Sequence, residues 1–212
     1  MTDILCTTVQ RRLANRTISI QIKGCLFASV DILQGYYEGT TIKDACKAGC
    51  PNYKKKWSCP PYSKPFPKIS SPYLSACLLC FSTKMRFYSD IKNTYLAVKA
   101  ANVTLKSLIE RCARHIEDYT AGYALLSGSC RLCKPCRCKS GLPCQHPDKM
   151  RYSMEATYLN VQQMCLDFLD HRLLWYENKR LPEYTSVVSL ILHNRHIEYN
   201  NLTNLIDEVF IE

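Results

Sequence analysis

Apolar and polar positions alternate along Thr17–Lys23 (TISIQIK), the two-residue period of a half-buried strand. Ser75–Ser82 (SACLLCFS) is instead a continuous apolar run, short enough to read as a strand covered on both sides. Val30–Tyr37 reads as a short helix between them. From Ser89 to Ile116 the period changes to that of a helix: Tyr95, Val98, Leu105, Leu108, Ile109, Cys112 and Ile116 fall near one stripe. Tyr119–Leu126 (YTAGYALL) predicts another strand, running directly into Ser127-Gly128-Ser129-Cys130. Ser153 is a candidate N-cap for a further helical stretch. Asn160 or a neighbour starts a helix to about Asn178 that buries Val161, Met164, Cys165, Phe168, Leu169 and Leu173, and Pro182 closes it. Thr185–Leu192 is a last strand and Leu202–Phe210 a closing helix. The expected class is α+β: a small mixed sheet packed with helices and carrying cysteine-rich metal-binding loops. No repeat or low-complexity linker divides residues 1–212, so one unit is expected.

One stretch fits neither period. Ala45–Ser71 is rich in proline and is expected to be largely irregular. So long a loop inside a small domain needs something to organise it. The cysteines supply a reason. The chain has 212 residues and 14 cysteines. Either a secreted disulfide scaffold or an intracellular metal protein carries so many. Met1–Asn15 has no apolar run of signal-peptide length, and the longest apolar runs are too short to span a bilayer. A cytoplasmic, reducing setting is therefore expected, where clustered thiols mean metal. The sequons at Asn15, Asn102 and Asn201 then read as chance matches.

The thiols form two groups. Cys130-x2-Cys133-x2-Cys136 is followed by Cys138 and Cys144, within a loop of about residues 128–148. Upstream, Cys46-x3-Cys50-x8-Cys59 lies within about residues 46–61. Three cysteines at successive threes match the first three ligands of a bacterial ferredoxin loop. Two intervening residues let neighbouring thiolates turn inward while backbone N–H groups donate to sulfur. Cys144 is the better fourth ligand, because one residue between Cys136 and Cys138 makes joint ligation awkward. Cys138 is a spare thiol or a ligand to the other site, and His146 is a further candidate ligand. A [4Fe–4S] cluster, one or two per chain, fits this spacing better than zinc, which favours Cys-x2-Cys pairs with a longer spacer. The upstream group offers three clear ligands. Its fourth is Cys77, Cys80, Cys25, a residue of the other loop, or a substrate.

Charge fits the same picture. The formal net charge is +10 with thiols counted as neutral. Two four-thiolate clusters would lower it by about four. Lys54, Lys55 and Lys56 lie in the first group, and Arg131, Lys134, Arg137 and Lys139 in the second. Such cations stabilise thiolates, or else form a solvated basic surface or a nucleic-acid footprint. Few aromatics are interleaved with them, which weighs against single-stranded nucleic acid. Trp57 and Tyr53 are expected to wall the metal from water. Arg151 and Glu155 are capping, surface-pairing or acid/base residues. Cys112, Cys165 and His115 are expected in the core, with His193 and His196 on the surface. Glycine-rich phosphate loops, a Gly-x-Ser-x-Gly elbow and a His-Glu-x-x-His motif are all missing, and 7 glycines support no dinucleotide fold.

Taken together, Cys46-Lys-Ala-Gly-Cys50-Pro-Asn-Tyr53, Trp57-Ser-Cys59-Pro-Pro61, Gly128-Ser-Cys130-Arg-Leu-Cys133-Lys-Pro-Cys136, Pro143-Cys144-Gln-His146-Pro147, Met150-Arg151 and Ser153-Met-Glu155-Ala156 resemble the DUF2284 family of predicted metal-binding prokaryotic proteins. The resemblance spans roughly residues 20–195. It implies metal, most plausibly iron–sulfur, and no particular reaction. It also implies an Arg where Gln145 stands and a Gly near Tyr158. Three functions follow as expectations. The first is an iron–sulfur protein in electron transfer or in redox or sulfur-transfer chemistry, working with a redox partner protein and no membrane. The second is a zinc-stabilised module contacting nucleic acid or protein. The third is a thiol-redox enzyme with Cys133 or Cys136 as nucleophile.

Overall fold

A computed structural model of the chain describes residues 3–211. Two strands, β1 (Leu5–Arg12) and β2 (Thr17–Phe27), form an antiparallel hairpin closed by the Leu13 N–H on the Arg16 carbonyl, 2.7 Å. The sequence pattern did not announce β1. Its reason is positional: β1 is an edge strand, so only Leu5 and Val9 need to pack on the core, and its other residues can stay polar.

A 3-10 helix at Val30–Tyr36 leads into α1 (Gly39–Gly49), the cysteine segment, and α2 (Phe66–Ser70). The segment expected to be irregular is thus helical at both ends and irregular between. Next come β3 (Ser75–Lys84), α3 (Thr94–Thr120) and the short β4 (Tyr123–Leu125). The strand expected from Tyr119 starts four residues later, because α3 runs on to Thr120. Ala121 then takes a left-handed conformation, and Gly122 passes the β5 backbone so closely that a Cβ there would stand 2.3 Å from the Leu192 carbonyl oxygen. After the second cysteine segment come a 3-10 turn at Glu155–Thr157, α4 (Val161–Leu169), β5 (Tyr184–His193) and α5 (Tyr199–Ile211). Asn160 starts α4 as expected and caps it, accepting from the Gln163 N–H. The helix ends at Leu169 rather than near Asn178: Asp170 turns left-handed, and the Lys23 ammonium binds the Leu169 and Asp170 carbonyls.

The sheet order is β1-β2-β3-β5-β4, and every strand pair is antiparallel. The α+β class holds. Both faces of the central strands are covered, which is why β3 is apolar without alternation. Ile18, Ile20, Ile22, Leu79 and Phe81 face α3 and α5, meeting Leu105, Ile109, Ile116 and Leu202. Ala76, Leu78, Cys80 and Leu190 face the opposite way, against Leu33, Phe66, Met164 and Leu169. Full burial of each Ile, Leu, Phe or Met among them contributes about 1.5–3 kcal/mol. This rigid frame carries both cysteine segments on one spine. Leu126 bridges Ser153, so residues 127–152 leave and return at a single point. Tyr37 bridges Leu159, and the Glu38 N–H binds the Tyr158 carbonyl, which anchors α1 to the same spine.

Candidate metal centre

The first cysteine group grows out of α1. Cys46 lies on the last turn, Cys50 is the C-cap, and the Cys50 N–H returns to the Cys46 carbonyl at 3.1 Å. Cys59 comes back through short turns, is buried, and has Ser58 beside it with its hydroxyl 3.9 Å from the sulfur. Burial, then Cys50 and Glu155, push the Cys46 thiol up. Burial is also the main cause that pushes Cys59 up to about 11; Cys50 and Cys46 add to it, while Ser58 and Lys56 pull the other way. Mutual repulsion of thiolates at one place is what a bound cation or cationic cluster would relieve.

The second group has a different electrostatic character. Burial raises Cys136, but backbone N–H groups of Cys138 and Trp57, the Cys133 thiol and Lys56 outweigh it, and the net shift is downward. Burial and Cys136 raise Cys133, opposed by the Arg137 N–H. The shifts of Cys133 and Cys136 are linked to each other, and Cys130 adds to that of Cys133. The backbone donors are those expected of a loop folded around sulfur.

The two loops also hold each other. The Lys56 ammonium donates to Ser129 Oγ at 2.9 Å and to the Cys130 carbonyl at 2.7 Å. The Cys130 N–H donates to Ser58 Oγ at 3.1 Å. Trp57 donates its indole N–H to the Leu142 carbonyl, 2.9 Å, and packs edge-on against Tyr62 with ring centres 4.7 Å apart. Cys138 is buried and points its thiol at the Lys54 carbonyl, 3.7 Å, so it belongs to the seam between the loops. Cys144 is half-buried and lies near Tyr152. The His146 side chain is exposed, and its carbonyl accepts from the Met150 N–H. Cys25, Cys77 and Cys80 are seated in β2 and β3, buried in the sheet.

Among the described residues, no three Cys, His, Asp or Glu side chains stand close enough together to share a single metal ion. The thiols of the two segments and the lysine ammonium between them make a donor set whose chemistry suits a soft metal.

Three supporting residues carry no local signal in the sequence. Glu117 on α3 is buried; its carboxylate takes Arg151 Nε at 2.6 Å, Arg114 Nη1 at 2.9 Å and the Ala124 N–H at 2.8 Å. Arg151 also donates to the Asp148 and Met150 carbonyls, and Arg114 to that of Lys149, so this knot fixes the exit of the second loop. Arg151 is thus a structural pairing residue. Lys106 stands against Gly128, where φ is +76° and an added Cβ would lie 3.2 Å from its ammonium. Burial lowers Lys106, with Glu155 opposing. Near Glu155, Tyr158 takes φ +69°, the left-handed region in which glycine is at ease; a glycine is what the family resemblance implies for this turn. His193, expected on the surface, is buried, while His115 is half-exposed and paired with Glu208 at 2.7 Å.

A family profile described as "Predicted metal-binding protein (DUF2284)" matches residues 38–193. No curated protein and no solved structure matches the chain.

Proposed function

Because the chain belongs to the DUF2284 family of predicted metal-binding proteins, we propose that its cysteine loops hold one or two [4Fe–4S] clusters in a redox protein. The observation that carries this reading is the seam between the two thiol loops. Lys56 donates to Ser129 Oγ and to the Cys130 carbonyl, and the Cys130 N–H donates to Ser58 Oγ, so two cysteine-rich segments are held against each other with a cation between them. Cys130, Cys133, Cys136 and Cys144 make one ligand set. Cys46, Cys50 and Cys59 make another with a fourth position left for a substrate or a residue of the opposite loop. When bound, a four-thiolate cluster stores and passes single electrons, and a three-thiolate cluster keeps one iron accessible to a substrate.

The remaining residues support those roles. Lys56 sets a positive charge between the loops, where anionic sites would otherwise repel. Trp57 and Tyr62 shield the seam from water. Glu155, exposed, adds its negative charge to the environment of Cys46 beside the three-thiol set. Electron transfer, or redox or sulfur-transfer chemistry with a redox partner protein, is the function this arrangement suits. Among the described residues no helix is long and apolar enough to cross a membrane; reduced, metal-binding thiols suit the cytoplasm.

Replacing Cys144 with Ala tests the ligand assignment. Iron bound by the second loop is expected to be lost, with iron at Cys46, Cys50 and Cys59 retained. Iron content equal to that of the parent protein would exclude Cys144 as the fourth ligand.

A further inference from the structure

The sheet face under α4 is apolar only as far as that helix reaches. Cys80 and Val188 stand opposite each other on β3 and β5 and share a core with Met164 and Leu169 of α4. Lys23, opposite Cys80 on β2, binds the Leu169 and Asp170 carbonyls where α4 ends. One step further along the same face the chemistry changes. The register sets Thr8 opposite Gln21, Gln21 opposite Ser82, and Ser82 opposite Ser186, a polar row across β1, β2, β3 and β5. Cβ atoms directly opposite in an antiparallel pair lie about 4.5–5.5 Å apart, so neighbours in such a row reach one ligand together.

The inner half of the row is not a solvated surface. Ser82 is 6% exposed, and its hydroxyl makes no hydrogen bond among the described residues. His171 is equally buried, and its Nε2 lies 2.8 Å from Ser186 Oγ. Thr8, Gln21, Ser82 and His171 line one cavity of about 360 Å³. An unpaired hydroxyl in so buried a place is costly, and a ligand in the cavity would relieve it.

The charges of the wall select the ligand. Lys84 and Arg86 stand in it against a single carboxylate, Glu183, whose Oε1 is 3.9 Å from the Lys84 ammonium. Arg86 pairs with no carboxylate among the described residues; its guanidinium lies over the Phe87 ring, 5.2 Å from the centre. Hydroxyls, a side-chain amide and two cations form a donor-rich wall, which suits the acceptor-only oxygens of an oxyanion. The volume belongs to the small end of ligand cavities. None of the lining residues lies in either cysteine segment.

We propose that this cavity is a binding site for a small oxyanionic molecule, its phosphate or carboxylate group held by Ser82, Gln21, Lys84 and Arg86, with His171 closing the inner end. The site does not rest on the iron–sulfur reading.

Calorimetric titration of the full chain tests it, with inorganic phosphate, glycerol 3-phosphate and succinate as probes at constant ionic strength and glycerol as the uncharged control. Saturable binding of one molecule per chain is expected for a phosphate or for succinate, and not for glycerol. The tighter probe tells a phosphate source from a carboxylate source. Ser82→Ala removes a hydroxyl that supports no other group, so it should leave the thermal melt unchanged and weaken binding about tenfold. Arg86→Gln should weaken it similarly and lessen its dependence on salt. Absence of saturable binding by all three charged probes would overturn the proposal. So would parent-like affinity in both folded variants.

Discussion

Glu117 is the residue on which the second loop's position rests. Its carboxylate, 6% exposed, holds two arginines, and those arginines hold the backbone at Asp148–Arg151. Removing one member of a buried charged set strands the others without a partner. Glu117→Ala is expected to cost about 3 kcal/mol, read as a lower urea midpoint. A loss below about 0.5 kcal/mol would show that the knot is solvated and weak. His193 sets a pH dependence. Burial lowers its pKa below 6.5, only partly offset by its bond to the Arg195 carbonyl. A histidine with a depressed folded pKa binds protons better when unfolded, so its contribution is intact above pH 6.5 and is lost as pH falls below that value. Between pH 7 and 5, His193→Gln should flatten the slope of stability against pH; an unchanged slope would place the titration elsewhere. Neither residue was legible in the sequence. The partners of Glu117 arrive from distant segments, and His193 reads as a loop residue until β5 is known to be covered on both faces.

At the scale of elements, what was legible depended on burial. Long faces that meet the core repeat visibly: α3 and its stripe, the apolar run of β3, and β5 all follow from spacing. Elements that bury little leave no such trace, as β1 shows with its polar edge. Termini were the least legible, because long-range contacts set them. Lys23 stops α4 from β2, and no reading of residues 160–178 alone contains that lysine. The cap of α3 is local and testable. Asn93 accepts the Leu96 N–H at 3.0 Å, so Asn93→Ala should lower stability by about 1 kcal/mol with the fold retained. Replacement by Ser should restore most of that loss, and equal melting of the Ala and parent proteins would mean that the cap is idle. The cysteine loops lie at the opposite extreme from α4. Their ligand spacing is local, so the thiol groups stood out in the sequence. The docking of one loop on the other through Lys56, Trp57 and Ser58 did not.

At the scale of the molecule, a five-stranded antiparallel sheet, covered on both faces, presents two thiol loops joined at one seam. The frame has a hydrophobic core independent of metal, so it should survive metal removal with the loops loosened. A net charge of +10 on the metal-free chain then reads as partial compensation for anionic sites and not only as a surface property. Iron and sulfide held by these loops are what the proposed function requires. The most direct test is the stoichiometry of iron, zinc and acid-labile sulfide in protein purified without oxygen. About four or about eight each of iron and sulfide per chain, with little zinc, is the predicted result for one or two clusters. Zinc without sulfide would contradict it.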